Sequence, residues 1–456
     1  MNQKNVFEKI VESPAKGLEK TVEVSKSLEQ KVAGKSIATL RSYWHSLGPG
    51  LTTGASDDDP SGIATYSQTG AQYGYAFLWL AAFTYPLMSV VQEMCARIGM
   101  VTGRGLAGNI RIHFSRKVLI FCTVLLFVAN TLNIGANLGA MAEAIRLFWG
   151  VNYLLAVVLF ALIILFLQIY SAYKKYANVL KWLAMILLAY VLSALLIDGI
   201  NWREILKSAV TPNMSLSRDS IILICAILGT TISPYLFFWQ TSQEVEERIE
   251  KGLTNIKLRQ NDVNNEEVKN MRTDVWSGMF LSNLVMFFII VTCAAALNAN
   301  GITNIDTAAQ AAEALRPFAG DYSYFLFALG IIGTGLLGIP VLAGSSSYAI
   351  AESFGWRQGL HLKLKQAYAF YGIIIISMLI GIGINFTGID PIKALIYSAV
   401  ANGLAAPVIL VCIVILASSK RVMGERRSGW LGKIMGWITV ALMSIAGIAS
   451  IWAMLF

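Results

Sequence analysis

The chain has 456 residues, 56% of them apolar and only 14% charged, a balance that belongs to membrane proteins. A net charge of +9 would suit a nucleic-acid partner, but the Lys and Arg residues fall in alternate loops, and no nucleic acid is expected. Five cysteines stand scattered in apolar runs without metal-ligand spacing, and His45, His113 and His361 lie at or outside the ends of those runs. The thiols read as buried and inert, and no imidazole is expected inside the membrane.

Residues 1–43 carry mixed charge with Val6, Ile10, Leu18, Val22, Leu28 and Val32 at roughly helical intervals. They read as a cytoplasmic tail, either lying on the membrane surface or simply solvated. Residues 44–456 form the membrane domain. Apolar spans follow at about 48–70, 75–100, 118–143, 152–171, 178–197, 219–243, 275–298, 322–350, 367–387, 392–417 and 430–455. Most are long enough to cross a hydrocarbon core of about 30 Å. Assigning alternate loops to the two sides puts 30 of the 36 Lys and Arg residues on the side of the N-terminus and 6 on the other. That asymmetry predicts a multi-pass protein of the cell membrane with its N-terminus cytoplasmic and its C-terminus outside.

The first span holds the least expected residues. Asp57, Asp58 and Asp59 stand in a segment otherwise apolar enough to cross a bilayer. Each costs about 2.5–3.5 kcal/mol near the bilayer centre. Pro60, Ser61 and Gly62 follow and predict a break in the helix, because proline lacks an amide proton and glycine is a weak helix former. Broken backbone beside charge is tolerated at membrane depth only where it lines a cavity or is buried in protein. The pattern reads as a cation site of a transporter. Gly229-Thr230-Thr231-Ile232-Ser233-Pro234-Tyr235 gives the sixth span the same grammar. Interrupted helices in corresponding positions of two halves point to a midplane site between inverted repeats. The repeats are about 48–197 and 219–417, with 430–455 an extra helix.

The runs GPGL, DPSG, IATYSQTGAQYGYAFLW and TGRGL resemble the first two helices of the Nramp family of divalent-metal transporters. The resemblance implies an all-α membrane protein of eleven transmembrane helices in a LeuT-like inverted five-plus-five repeat, with helices 1 and 6 broken. It also implies a divalent metal ion as substrate, no resident cofactor and a functional monomer. The family's first-helix motif is Asp-Pro-Gly-Asn; here Gly62 stands where the ligating Asn would be. Where the family has Met-Pro-His in helix 6, this chain has Ser233-Pro234-Tyr235, and Gln240 replaces a second His. The acidic pair of helix 3 corresponds to Asn133 and Ala136. The chain resembles the magnesium-transporting, Nramp-related branch. Hard oxygen ligands suit Mg²⁺ and Mn²⁺, whereas thioether and imidazole favour softer metals.

The expected metal residues are therefore Asp59, Ser61, Gly62, Thr230 through its carbonyl, and Ser233. The alternative for Ser233 is a hydroxyl bonded back into its own turn. Asp57 and Asp58 face the site, line the outer vestibule or cap a half-helix. Asn133, Tyr235, Gln240 and Asn402 are candidate pathway residues; for Asn133 and Asn402 interhelical glue is the favoured reading. Glu93 with Arg97, and Glu143 with Arg146, read as ordinary ion pairs. Three other functions compete. A proton-coupled Mn²⁺/Fe²⁺ transporter lacks its Met, His and acidic pair here. A sodium-coupled small-solute carrier of the same architecture would offer a roomier apolar pocket. An intramembrane enzyme would need two Asp on facing helices or a buried His.

Overall fold

The computed structural model describes residues 48–170, 185–197, 199–213 and 217–455. Among them the chain is helical and has no strand. The framework helices are α1 (Pro49–Asp57), α2 (Pro60–Tyr73), α3 (Trp79–Thr102), α4 (Leu106–His113), α5 (Arg116–Arg146), α6 (Tyr153–Tyr170) and α7 (Leu188–Leu196). The second half holds α8 (Arg218–Thr231), α9 (Pro234–Glu250), α10 (Asn265–Ala296), α11 (Ser323–Phe354), α12 (Tyr368–Ile384), α13 (Pro391–Ser418) and α14 (Trp430–Leu455).

The first and sixth spans are each two helices, and both breaks have the same local cause. A residue preceding proline is driven out of the α region, and proline itself is at home in a first helical turn. Asp59 accordingly has φ −70° and ψ 171°, and Pro60 opens α2. Ser233 has φ −79° and ψ 128°, and Pro234 opens α9.

Seven segments among the described residues, α8 and α9 taken together across their break as one of them, are long and apolar enough to cross a membrane, against the eleven expected. The other four spans fall short for separate reasons. The first, α1 with α2, carries three aspartates and many small polar residues. The second, α3, is 24 residues long but carries Gln92, Glu93 and Arg97. The fifth lies partly outside the described residues, as the N-terminal tail does wholly. The ninth, α12, is apolar but 17 residues long.

Packing places the two breaks at the centre. Helix α10 runs along α1, α2 and α3, α5 packs on α11, α12 and α13, and α8 lies between α13 and α14. Several of these contacts are backbone against backbone. A Cβ at Gly54 would come within 2.3 Å of the Gly278 carbonyl, and one at Gly229 within 2.1 Å of the Ala399 carbonyl. Small residues at such crossings are how membrane helices approach closely without a hydrophobic driving force between them. The five cysteines are free and buried, and the Glu143–Arg146 pair closes at 2.6 Å.

Candidate cation site at the helix breaks

Asp59 caps α2. Its Oδ1 accepts from the Ser61 and Gly62 amides, both at 3.0 Å, and from the Ser61 hydroxyl at 2.5 Å. Its Oδ2 accepts from Asn133 Nδ2 and Asn137 Nδ2, both at 3.0 Å. Five donors use all of the roughly four lone-pair positions of a carboxylate. Asn133 Oδ1 in turn accepts from Ser398 on α13. Asn133 thus spans a hydrogen-bond chain from the break in helix 1 to α13. Asn137, one turn further along α5, completes the clamp. Sequence reasoning passed over it, although i, i+4 spacing puts it on the face of Asn133.

Asp57 and Asp58 are held differently. The Ser282 hydroxyl of α10 lies 2.6 Å from Asp57 Oδ2 and 3.2 Å from Asp58 Oδ1, so the two carboxylates converge on one donor. The remaining oxygen of Asp57 is buried with no hydrogen-bond partner among the described residues. The three carboxylates are 0%, 4% and 1% exposed in chain order. No Lys, Arg or His reaches any of them within 4 Å among the described residues. Nor does any group of three or more acidic, His or Cys side chains among those residues have the arrangement of a metal cage.

Helix 6 supplies neutral groups. Ser233 donates to the Gly229 carbonyl at 2.9 Å and the Thr230 carbonyl at 2.7 Å, so its hydroxyl hydrogen turns back into α8, and the Thr230 carbonyl accepts from it. Tyr235 reaches across and donates to the Ser56 carbonyl at 3.0 Å, joining the two breaks. Gly62 leaves a niche between them. A Cβ there would lie 3.2 Å from the Thr230 hydroxyl and 3.4 Å from the Asp57 carbonyl oxygen. A ring carbon of Tyr66 lies 3.3 Å from the same point, so the niche is small and shared by two oxygens and an aromatic edge, and the negative end of α1 points towards it.

Two further carboxylates stabilise the first half of helix 1, and sequence reasoning missed both. Asp274 of α10 accepts from the Gly50 and Leu51 amides at 2.6 and 3.1 Å, placing an anion at the N-terminus of α1. Glu244 of α9 accepts from Gln240 Nε2 at 2.9 Å, and Gln240 Oε1 accepts from Thr53 of α1 at 2.5 Å. Gln240 is therefore a bridge between helices 1 and 6. Asn402 of α13 is fully buried, and its amide makes no hydrogen bond among the described residues. Glu93 binds Arg97 as expected, and also Arg272 at 2.9 Å and Trp276 at 2.9 Å.

Broken helices meeting at a buried acidic centre, packed by long helices on each side, define a transporter core of the LeuT type. The chain superposes on Mhp1, a nucleobase-cation-symport-1 family transporter, with a TM-score of 0.50 at 15% identity, covering 89% of this chain and 92% of that one. A manganese transporter from Eremococcus coleocola superposes with a TM-score of 0.72 at 21% identity, over 91% of this chain and 87% of that one.

The chain belongs to the Nramp family. The family model described as natural resistance-associated macrophage protein-like matches residues 50–453. A relative from Klebsiella pneumoniae strain 342, the divalent metal cation transporter MntH, is 26% identical over 404 residues, covering 87% of this chain and 91% of its own length.

Proposed function

We propose that the protein is a transporter, not an enzyme, that carries Mg²⁺ and Mn²⁺ into the cell as partly hydrated ions held between helices 1 and 6, without proton coupling. The observation that supports this most is the trio Asp57, Asp58 and Asp59, buried with no cationic side chain within 4 Å among the described residues. Uncompensated charge at membrane depth is expensive, and a divalent cation supplies the missing compensation. The names of the similar proteins, a divalent metal cation transporter and a manganese transporter, favour a metal over an organic solute.

The donor set favours a hard ion. Carboxylate, carbonyl, hydroxyl and amide oxygens surround the breaks, and no thioether or imidazole stands at Ser233 or Tyr235. Mg²⁺ gives up its waters reluctantly, and water on the ion can donate to the carboxylates that converge on Ser282, where one oxygen of Asp57 has no partner among the described residues. In this reading Asp59 supplies charge and holds α2, while Asp57, Asp58, the Thr230 hydroxyl and the Gly62 niche receive the hydrated ion. Ser61 and Ser233 set the backbone of the two breaks. Asn133, Tyr235 and Gln240 tie the neighbouring helices to it, and Asn402 lines the path. The protein works as a monomer in the bilayer, with its N-terminus inside and eleven crossings.

The test is Mn²⁺ uptake into proteoliposomes with Mg²⁺ as competitor. Millimolar Mg²⁺ is expected to suppress Mn²⁺ flux. Flux that ignores Mg²⁺ would return the protein to the Mn²⁺/Fe²⁺ transporters.

A further inference from the structure

A groove of about 540 Å³ runs between α5 and α11, away from the helix breaks. Its walls are apolar and face outward: Ile120, Val124 and Phe354 are 48%, 55% and 57% exposed. A hydrogen bond of 2.9 Å between Thr123 and Ser353 closes its floor. One end is basic, with Arg111 and Arg116 in the lining and Lys117 beside them. None of the three has a carboxylate within 4 Å among the described residues. Among the described residues Arg111 donates to the Glu352 backbone carbonyl alone, at 3.3 Å. Arg116 and Lys117 stand in the first turn of α5, where the positive end of the helix disfavours a cation.

We propose that this groove binds an anionic phospholipid, with its phosphate at Arg111 and Arg116 and an acyl chain along Ile120, Val124 and Phe354. The shape is that of the ligand, a charged head at one end and an apolar tail along the rest. Basic pockets between transmembrane helices bind such headgroups, and apolar side chains exposed in the bilayer meet acyl chains without cost. A second copy of the chain would have to present a carboxylate next to a narrow apolar ridge to do the same.

The site is coupled by construction to the acidic centre. Helix α5 carries Asn133 and Asn137, which clamp Asp59, and α11 brings Gly338 so close that a Cβ there would lie 3.1 Å from Asp59 Cβ. A lipid seated between α5 and α11 braces the two helices that hold Asp59 in place.

Native mass spectrometry of the full chain, loaded with phosphatidylglycerol or phosphatidylcholine, tests the proposal. Phosphatidylglycerol is expected to be retained in preference, and R111Q/R116Q to weaken its binding about 30-fold, the effect of two basic contacts near a lipid surface. V124W, which fills the groove and keeps the charges, is expected to release the lipid as well. K363Q/K365Q, removing two charges from another loop, is expected to leave retention unchanged. Equal retention of both lipids, or no loss in either groove variant, would overturn the proposal. So would full displacement by inorganic phosphate, which would identify a free-anion site, or a dimer mass abolished by V124W, which would identify a second copy as the occupant.

Discussion

The two helix breaks share a grammar and differ in charge. Each opens its second half with proline after an extended residue, Asp59 before Pro60 and Ser233 before Pro234. In helix 1 the residue before proline caps forwards, taking two amides of α2 onto a carboxylate. In helix 6 it bonds backwards, donating into the carbonyls of α8. The first break is therefore negative and clamped from outside by α5 and α10. The second is neutral and satisfied from within. In the proposed function one proline-broken frame thus separates two tasks: helix 1 would supply charge for a cation, and helix 6 would set which cation by what it does not offer.

Removing the charge has the largest expected effect. Asp59→Ala takes away the cap of α2, worth about 1 kcal/mol on its own, together with the anchor for Asn133 and Asn137. Metal uptake in proteoliposomes is expected to fall at least about 100-fold, the factor that ~2.7 kcal/mol supplies. Asp57→Asn is expected to weaken apparent affinity for Mg²⁺ about tenfold, ~1.4 kcal/mol, because the amide keeps the shape and loses the charge. Titration of Mg²⁺ against the purified variant by calorimetry checks it. Asp57→Asn with wild-type affinity would remove that residue from the ion's surroundings and leave Asp58 alone.

Helix 6 is probed by restoring what it lacks. Ser233→Met places a thioether at the break in helix 6, and soft ligands favour Mn²⁺ and Cd²⁺ over Mg²⁺. The ratio of Cd²⁺ to Mg²⁺ binding is expected to rise several-fold, on the order of 1 kcal/mol. An unchanged ratio would mean that discrimination does not reside in the neutral break.

The same contrast explains what was legible in the sequence. Proline after an aspartate or a serine, with small and hydroxyl residues around it, marks both breaks, so they and the inverted plan could be read from residues 57–62 and 229–235, whereas Pro86, Pro340 and Pro407 lie inside unbroken helices. The Nramp resemblance lay in the runs around them. Partners brought by tertiary packing could not be read. Ser282, Asp274 and Glu244 stand on helices whose local sequence gives no sign that they face helix 1, and they meet it across the bundle. The count of eleven crossings rested on apolar runs. Seven of them are long and apolar enough on their own among the described residues; helix 1 carries three aspartates and α3 its own ion pair.

The second halves of the two broken helices differ in the same sense as the breaks. Gln68 of α2 binds the 303–305 loop with an amide, accepting from Ile305 N at 2.9 Å. Glu246 of α9 binds Tyr348 at 2.7 Å and His361 at 2.6 Å. The hydrogen bond to Glu246 holds the His361 imidazole above its ordinary value of 6.5; burial opposes this, the charges of Glu246 and Glu250 add to it, and Arg259 opposes it weakly. A raised imidazole contributes stability that is full below pH about 6.5 and is lost as pH rises through the folded value. His361→Ala is expected to lower the melting temperature by about 1–2 °C at pH 6 and by less at pH 9, since the partly exposed pair is screened. Gln68→Ala is expected to cost the same at both. Equal losses for His361→Ala at the two pH values would show that the contact is packing and not charge.

The smallest expected effect is a null, and it tests whether the charged half works alone. A proton-driven carrier needs a titratable group outside the metal site but linked to it. Asn133, Ala136, Tyr235 and Gln240 do not titrate near neutral pH, yet Glu244 does belong to a linked chain, through Gln240 to Thr53 of α1. It is the group to remove. If entry is driven only by the ion gradient and the membrane potential, a divalent ion gains about 4.6 kcal/mol per 100 mV, enough to accumulate Mg²⁺ without a second ion. Glu244→Gln keeps the hydrogen-bond geometry and is expected to leave uptake within about twofold of wild type, ~0.4 kcal/mol in the barrier. A pH-sensitive dye inside the same proteoliposomes is expected to stay silent during metal influx at negative potential, for both proteins. Metal-dependent acidification in the wild type that disappears in Glu244→Gln would make Glu244 a proton carrier and end the uncoupled mechanism.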